Sequence, residues 1–326
     1  MLYPLKFHPI YKDKIWGGEK IRSILNKDFT PLKNCGESWE VSGYQNNESI
    51  VKNGSLAGRN LNQIVDTYKE RLLGYQVNTK FNGDFPLLIK FIEANEDLSI
   101  QVHPDDKMAQ KQHQSFGKTE MWYIIQADEG ATLYTGFNRQ MDKDSYLKNF
   151  NEGTLLDILN IENVYADDVF FIPAGRIHTI GKGILLTEIQ QSSDLTYRIY
   201  DFDRKDQMGN KRELHLEEAL DAMDYNFYKE YKTSYKDQSD TPFEIVKSQY
   251  FTTNKLLLKS ELERNISDLD SFVIYICLEG SGFIKYGHKT TTMSLGDVIL
   301  IPAELRQFIL VPENNWKLLE TYITKG

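Results

Sequence analysis

One eleven-residue stretch occurs twice in this chain. Asp168-Val-Phe-Phe-Ile-Pro-Ala-Gly-Arg-Ile-His178 aligns without gaps on Asp297-Val-Ile-Leu-Ile-Pro-Ala-Glu-Leu-Arg-Gln307, and five of the eleven positions are identical. Upstream of each copy lies an apolar strand that ends in an acidic-glycine turn, Trp122 to Gly130 and Phe272 to Gly280. A repeat of this kind means one supersecondary unit used twice. The unit is β, because its apolar runs are short, rich in Val, Ile and Phe, and closed by Pro and Gly. The chain is therefore expected to be mainly β, with two related barrel-like units. A length of 326 residues suits about two domains. The boundary is placed at the hydrophilic run Tyr228–Thr241, which gives domains of residues 1–235 and 236–326.

Helical periodicity interrupts the strands only in the first unit. Leu61, Ile64, Val65, Tyr68, Leu72 and Leu73 recur at three-four spacing and predict a helix over 57–75. Pro104 and Asp105 open a second, polar helix over 106–114, in which His113 reads as a surface histidine. The segments 142–160 and 214–223 have the same spacing, and 203–209 reads as a charged turn. The first domain should thus be a β-core with helical insertions.

The chemistry-bearing residues cluster on that core. Side chains alternate faces along a strand, so Gln101 and His103 in Ser99-Ile-Gln-Val-His-Pro-Asp-Asp106 point the same way. Glu120 opens an apolar strand after Gly117-Lys118-Thr119, and His178 follows a strand and a Pro-x-Gly turn. Gln101, His103, Glu120 and His178 would offer one metal two imidazoles, a carboxylate and an amide oxygen, which suits zinc or another divalent first-row ion. In the second copy Gln307 stands where His178 does, and its only histidine, His288, lies elsewhere. The second unit is expected to keep the fold without the metal.

Charge narrows the partners. Lys+Arg 38 against Asp+Glu 47 gives a net charge of −9, which disfavours nucleic acid and anionic membranes. No apolar run approaches membrane-spanning length and the N-terminus has no signal-peptide core, so a soluble cytoplasmic protein is expected. Cys35 and Cys277 are far apart in sequence, and Cys277 reads as a small buried hydrophobe.

Taken together and in order, Leu98-Ser-Ile-Gln-Val-His-Pro-Asp-Asp106, Gly117-Lys-Thr-Glu120, Pro173-Ala-Gly-Arg-Ile-His178 and Ser193-Asp-Leu-Thr-Tyr-Arg198 resemble the class I mannose-6-phosphate isomerases in their short bacterial form, members of the cupin superfamily. The resemblance covers nearly the whole chain. It implies two cupin (jelly-roll) barrels, the C-terminal one degenerate. It also implies zinc, one ion per chain, on Gln101, His103, Glu120 and His178, and interconversion of mannose 6-phosphate and fructose 6-phosphate through a cis-enediol. By motif position Lys118 and Arg198 would be catalytic, and Ser99 would line the same pocket. Ser99, Lys90, Lys118 and Arg198 are the nearest donors for a hexose 6-phosphate. Gly117 stands where longer relatives carry a histidine, and Asp167 replaces a usual cupin glycine. The base is open between a metal-bound water, Lys118, and a carboxylate such as Glu37 or Asp194. A non-catalytic double cupin that binds metal and sugar phosphate is the alternative, and a metal-dependent cupin oxygenase fits less well, since its sites favour more histidine around iron. Monomer and homodimer are both compatible with the sequence.

Overall fold

The computed structural model describes residues 1–205 and 208–325. The N-terminal half holds two facing antiparallel sheets. One runs in the order Val169–Ile172, Glu120–Ala127, Ile184–Gln191, Leu87–Ala94, Glu37–Ser42 and Ile10–Lys12. The other runs Tyr197–Tyr200, Ile100–Val102, His178–Ile180, Thr132–Phe137 and Leu159–Asn163. The C-terminal half repeats the plan with a sheet of seven strands and one of four. The seven-stranded sheet takes in Leu5–His8, which pairs with Val298–Ile301, so the first strand of the chain is built into the second half.

The period of two decides what each strand sends inward. Along Leu87–Ala94 and Glu120–Ala127, the odd residues Leu87, Ile89, Phe91, Met121 and Tyr123 pack toward the C-terminal sheet, where Phe85 stacks on Phe272 with ring centroids 4.8 Å apart. The even residues Ile92, Trp122 and Ile124 fill the interior of the first barrel. Lys90, Glu120 and Glu188 share that parity, so the same alternation that builds the apolar layer between the halves turns charges into the barrel. Each large apolar side chain buried in that layer contributes roughly 1.5–3 kcal/mol. That layer holds the strands at fixed spacing beneath the polar interior.

The repeat is visible in the pairing. Phe170 lies opposite Trp122 and Ile299 opposite Tyr275, and His178 and Gln307 each open the next strand. This register equates Trp122 with Tyr275 rather than with Phe272, three positions from the alignment through the turns. The cause is a longer first hairpin: Ile124 and Cys277 make the same bond to Asp168 and Asp297 (both 2.9 Å), yet the turn glycines Gly130 and Gly280 follow at different distances along the chain.

Of the expected helices, 57–75 is broken. Leu61–Tyr68 and Glu70–Leu73 are separate because Lys69 takes φ 44. Asp106–His113 starts at the Asp105 cap, whose side chain accepts from Met108 N at 2.8 Å. Over 142–160 the helix is Lys143–Asn151, followed after Gly153 (φ 73) by a 3-10 turn, Leu155–Ile158, and the strand Leu159–Asn163. Residues 216–222 are helical, inside the expected 214–223. The expected charged turn 203–209 includes Asp206 and Gln207, which lie outside the described residues. Both cysteines are free and buried. Among the described residues no helix is long and apolar enough to cross a membrane.

Candidate metal centre and substrate cavity

Strand register gathers the predicted donors. Gln101, on Ile100–Val102, lies opposite His178 on one side and Arg198 on the other. Glu120 lies opposite Ile172 and Gln190, in the facing sheet. Carboxylate and imidazoles meet across the barrel: His103 Nε2 is 3.5 Å from Glu120 Oε2, and His178 Nε2 is 3.5 Å from Glu120 Oε1. The Gln101 amide reaches His178 Nε2 at 3.2 Å, and a half-turn of the amide exchanges its nitrogen for its oxygen.

The surroundings fix the donors for a cation. His103 Nδ1 bonds the Leu195 carbonyl and His178 Nδ1 the Arg176 carbonyl, both at 2.8 Å. A carbonyl only accepts, so each Nδ1 carries the proton and each Nε2 presents a lone pair to the centre, the second-contact arrangement of metal-bound histidines. Burial, with Lys118 and His178 close by, holds the His103 imidazole well below its usual 6.5, and burial holds His178 at about 3. Burial and the Glu188 charge push the Glu120 carboxyl up to about 8. His103 Nε2 and both Glu120 oxygens are fully buried with no hydrogen-bond partner. Lys118 Nζ stands 3.2 Å from Glu120 Oε2, close enough to pair charges, but the angle makes no hydrogen bond. Buried polar atoms left open in this way carry a cost of about 1–3 kcal/mol each, and more when charged. Two neutral imidazoles, one carboxylate and an amide match what a divalent cation such as zinc coordinates, and such an ion would satisfy all of these atoms.

Beside the donors opens a cavity of about 240 Å³ whose wall includes Ser99, Gln101, Lys118, Arg198, Lys90 and Glu188. All the residues singled out as substrate contacts therefore face one space. Lys90 is already committed: its ammonium is 3.1 Å from Glu188 Oε2 and 3.9 Å from Glu37 Oε2, at 3% exposure. Glu37 is locked as well, by Lys14 at 3.0 Å and by Trp39 Nε1 at 2.7 Å. Asp194 also lines the cavity and has no side-chain hydrogen bond or ion pair among the described residues. Arg198 donates through Nη1 to the Glu213 carbonyl at 2.8 Å, while its Nε is buried and unpartnered.

Sequence reasoning missed Glu188 and Arg212. Glu188 sits directly opposite both Lys90 and Trp122, and it accepts the Trp122 indole N–H at 3.1 Å. Its one sequence signal is a charge in the middle of a strand that is otherwise apolar and uncharged polar. Arg212 belongs to no strand and has none. Gly117 has no room for a side chain: a Cβ would stand 2.5 Å from Asp106 N.

Comparison with known proteins agrees with this geometry. Residues 4–130 match the family model "Phosphomannose isomerase type I, catalytic domain", and residues 241–315 match "Mannose-6-phosphate isomerase, cupin domain". A mannose-6-phosphate isomerase of Streptococcus mutans is 35% identical over 318 residues, covering 94% of this chain and 95% of that protein. The mannose-6-phosphate isomerase ManA of Bacillus subtilis is 34% identical over 312 residues, with the same coverage. A crystal structure of the mannose 6-phosphate isomerase from Bacillus subtilis superposes with a TM-score of 0.88 at 32% identity, over 98% of this chain and 99% of that one. Sequence, fold and the chemistry of the cavity converge, and the chain belongs to the type I phosphomannose isomerase family.

Proposed function

We propose that this chain interconverts mannose 6-phosphate and fructose 6-phosphate, with one zinc ion held by Gln101, His103, Glu120 and His178. The observation that carries the reading is the buried cluster of His103, Glu120 and His178, with His103 Nε2 and both Glu120 oxygens unsatisfied, beside a cavity lined by five cationic side chains and three carboxylates. Aldose-ketose isomerisation moves one proton between C1 and C2 and another between O1 and O2, through a cis-enediol. A bound divalent ion supplies Lewis-acid stabilisation of the negative charge that develops on the substrate oxygens.

The chain's own residues do the rest. Lys118, beside Glu120, adds a positive charge at the end of the cavity where the reacting oxygens would lie. Ser99 donates a hydroxyl, and Arg198 offers an open N–H to an anion. Lys90 holds Glu37 and Glu188 ionised and in place, so that these carboxylates can accept hydrogen bonds from sugar hydroxyls. Because Glu37 is locked on both oxygens, Lys118 and Asp194 are the side chains best placed to carry the migrating proton, a role worth roughly 10²–10⁴-fold in rate.

Formation of fructose 6-phosphate from mannose 6-phosphate by the purified protein, alongside its zinc content, tests the reading. Full zinc loading with no turnover on any hexose 6-phosphate would favour a protein that only binds its ligand.

A further inference from the structure

We propose that Arg212, oriented by Asp201, forms with Arg198 the subsite that takes the substrate's phosphate; this rests on the isomerase reading above. The strand Tyr197–Tyr200 carries Arg198 opposite Gln101, and its guanidinium donates to the Glu213 carbonyl. Two further bonds fasten the same segment to that strand: His215 N to Arg198 O at 2.8 Å, and Arg198 N to His215 Nδ1 at 3.1 Å. This brings Arg212 to the cavity wall beside Arg198.

Asp201 sets the direction of the Arg212 side chain. Its carboxylate, in a residue only 5% exposed, accepts Arg212 Nε at 2.7 Å and also accepts Arg212 Nη2 and Arg204 Nη2. Two guanidiniums therefore share one carboxylate, and Arg198 lies within electrostatic range of all three groups. Burial and the charges of Arg212 and Arg204 press on the Arg198 guanidinium, and its buried Nε has no acceptor. An anion placed between Arg198 and Arg212 relieves the repulsion and supplies that acceptor.

Charge around the cavity points to the same place. Lys14 and Lys90 are spent on Glu37 and Glu188, and Lys118 on Glu120. Among the described residues Arg198 meets no carboxylate at ion-pair distance, and Arg212 gives Asp201 only its Nε and Nη2, so both planar forks keep N–H groups for phosphate oxygens. The subsite also divides the labour of the cavity, with Lys118 at the reacting carbons and the arginines at the far end of the hexose.

The test uses Arg212→Met and Arg212→Lys in the full chain, with two readouts: steady-state kinetics on mannose 6-phosphate, and binding of inorganic phosphate by calorimetry. Losing one or two charge-assisted hydrogen bonds should raise KM and the phosphate Kd together by roughly 10- to 100-fold in Arg212→Met, with a smaller change in kcat. Arg212→Lys, which keeps the charge and loses the fork, should fall between. Wild-type KM and wild-type phosphate affinity in both variants would overturn the proposal. Phosphate binding that weakens in Arg212→Met, in a wild type that turns over no hexose 6-phosphate, would uphold the anion site and remove the isomerase reading instead. Thermal melts establish that the variants compared are folded, and Arg212→Lys carries the test should Arg212→Met fail to fold.

Discussion

His103 and His178 each spend one ring nitrogen on a backbone carbonyl and leave the other open, so the tautomer needed by a cation is set before any cation arrives. His178→Ala removes one donor and should weaken zinc binding by at least the roughly 10–100-fold seen when only an outer partner of a ligand is lost. Zinc per chain, measured after dialysis against a graded zinc buffer, checks this, and unchanged retention would count against His178 as a ligand. Lys118→Met should lower kcat by about 10²–10³-fold, the scale of losing one group that stabilises transition-state charge, with zinc content intact. A rise in KM alone would move Lys118 to substrate binding. Of the proposed donors, Gln101, His103 and His178 stood out in the sequence because alternation on one strand and a Pro-x-Gly turn before a histidine are local patterns. Arg212 was not legible, because what makes it interesting is Asp201 beside it and Arg198 on the same cavity wall, and neither relation has a fixed sequence spacing.

At the scale of elements, the strand Leu87–Ala94 carries an ammonium through the middle of an apolar sheet. Lys90 pairs across to Glu188 and lies opposite Trp39, whose ring centroid is 5.1 Å from Nζ. The site depends on this strand staying in register. Burial alone would raise the Glu37 carboxyl, but Lys90, Lys14 and the Trp39 N–H outweigh it and hold it at about 2, against 4.5 for the free group. A depressed acid stabilises the fold above its unfolded pKa, and that contribution disappears as pH falls from 4.5 toward about 2. Glu37→Gln should therefore flatten the decline of Tm across that window. An unaltered slope would contradict the pairing. The strands were readable from their short β-branched runs, whereas the break at Lys69 was not, since the apolar spacing runs through it without interruption.

At the scale of the whole molecule, the two halves are one plan with two contents. Glu320 lies opposite Tyr275 and Asn254, as Glu188 lies opposite Trp122 and Lys90. In the second barrel, however, Arg264 reaches in to pair with Glu320 through both of its oxygens, at 3.0 and 2.8 Å, and Tyr275 and Asn254 complete the set. The charge that faces a cavity in one half is satisfied internally in the other. Arg264→Met should cost roughly 3–5 kcal/mol, because it strands a buried carboxylate. Zinc content and kcat/KM of the folded fraction should be unchanged, and a selective loss of activity would mean that the second barrel takes part in the reaction. The duplication itself was plain in the eleven-residue repeat. The internal ion pair was not, because its members lie 56 residues apart.

The account rests on a divalent ion, held by Gln101 and the buried His103, Glu120 and His178, acting in sugar-phosphate isomerisation. Its most direct test is a coupled assay of fructose 6-phosphate formation from mannose 6-phosphate, run on the purified protein as isolated, after chelation, and after zinc is restored. Turnover that is lost on chelation and regained with zinc is the predicted result; turnover that survives complete removal of the metal would contradict it.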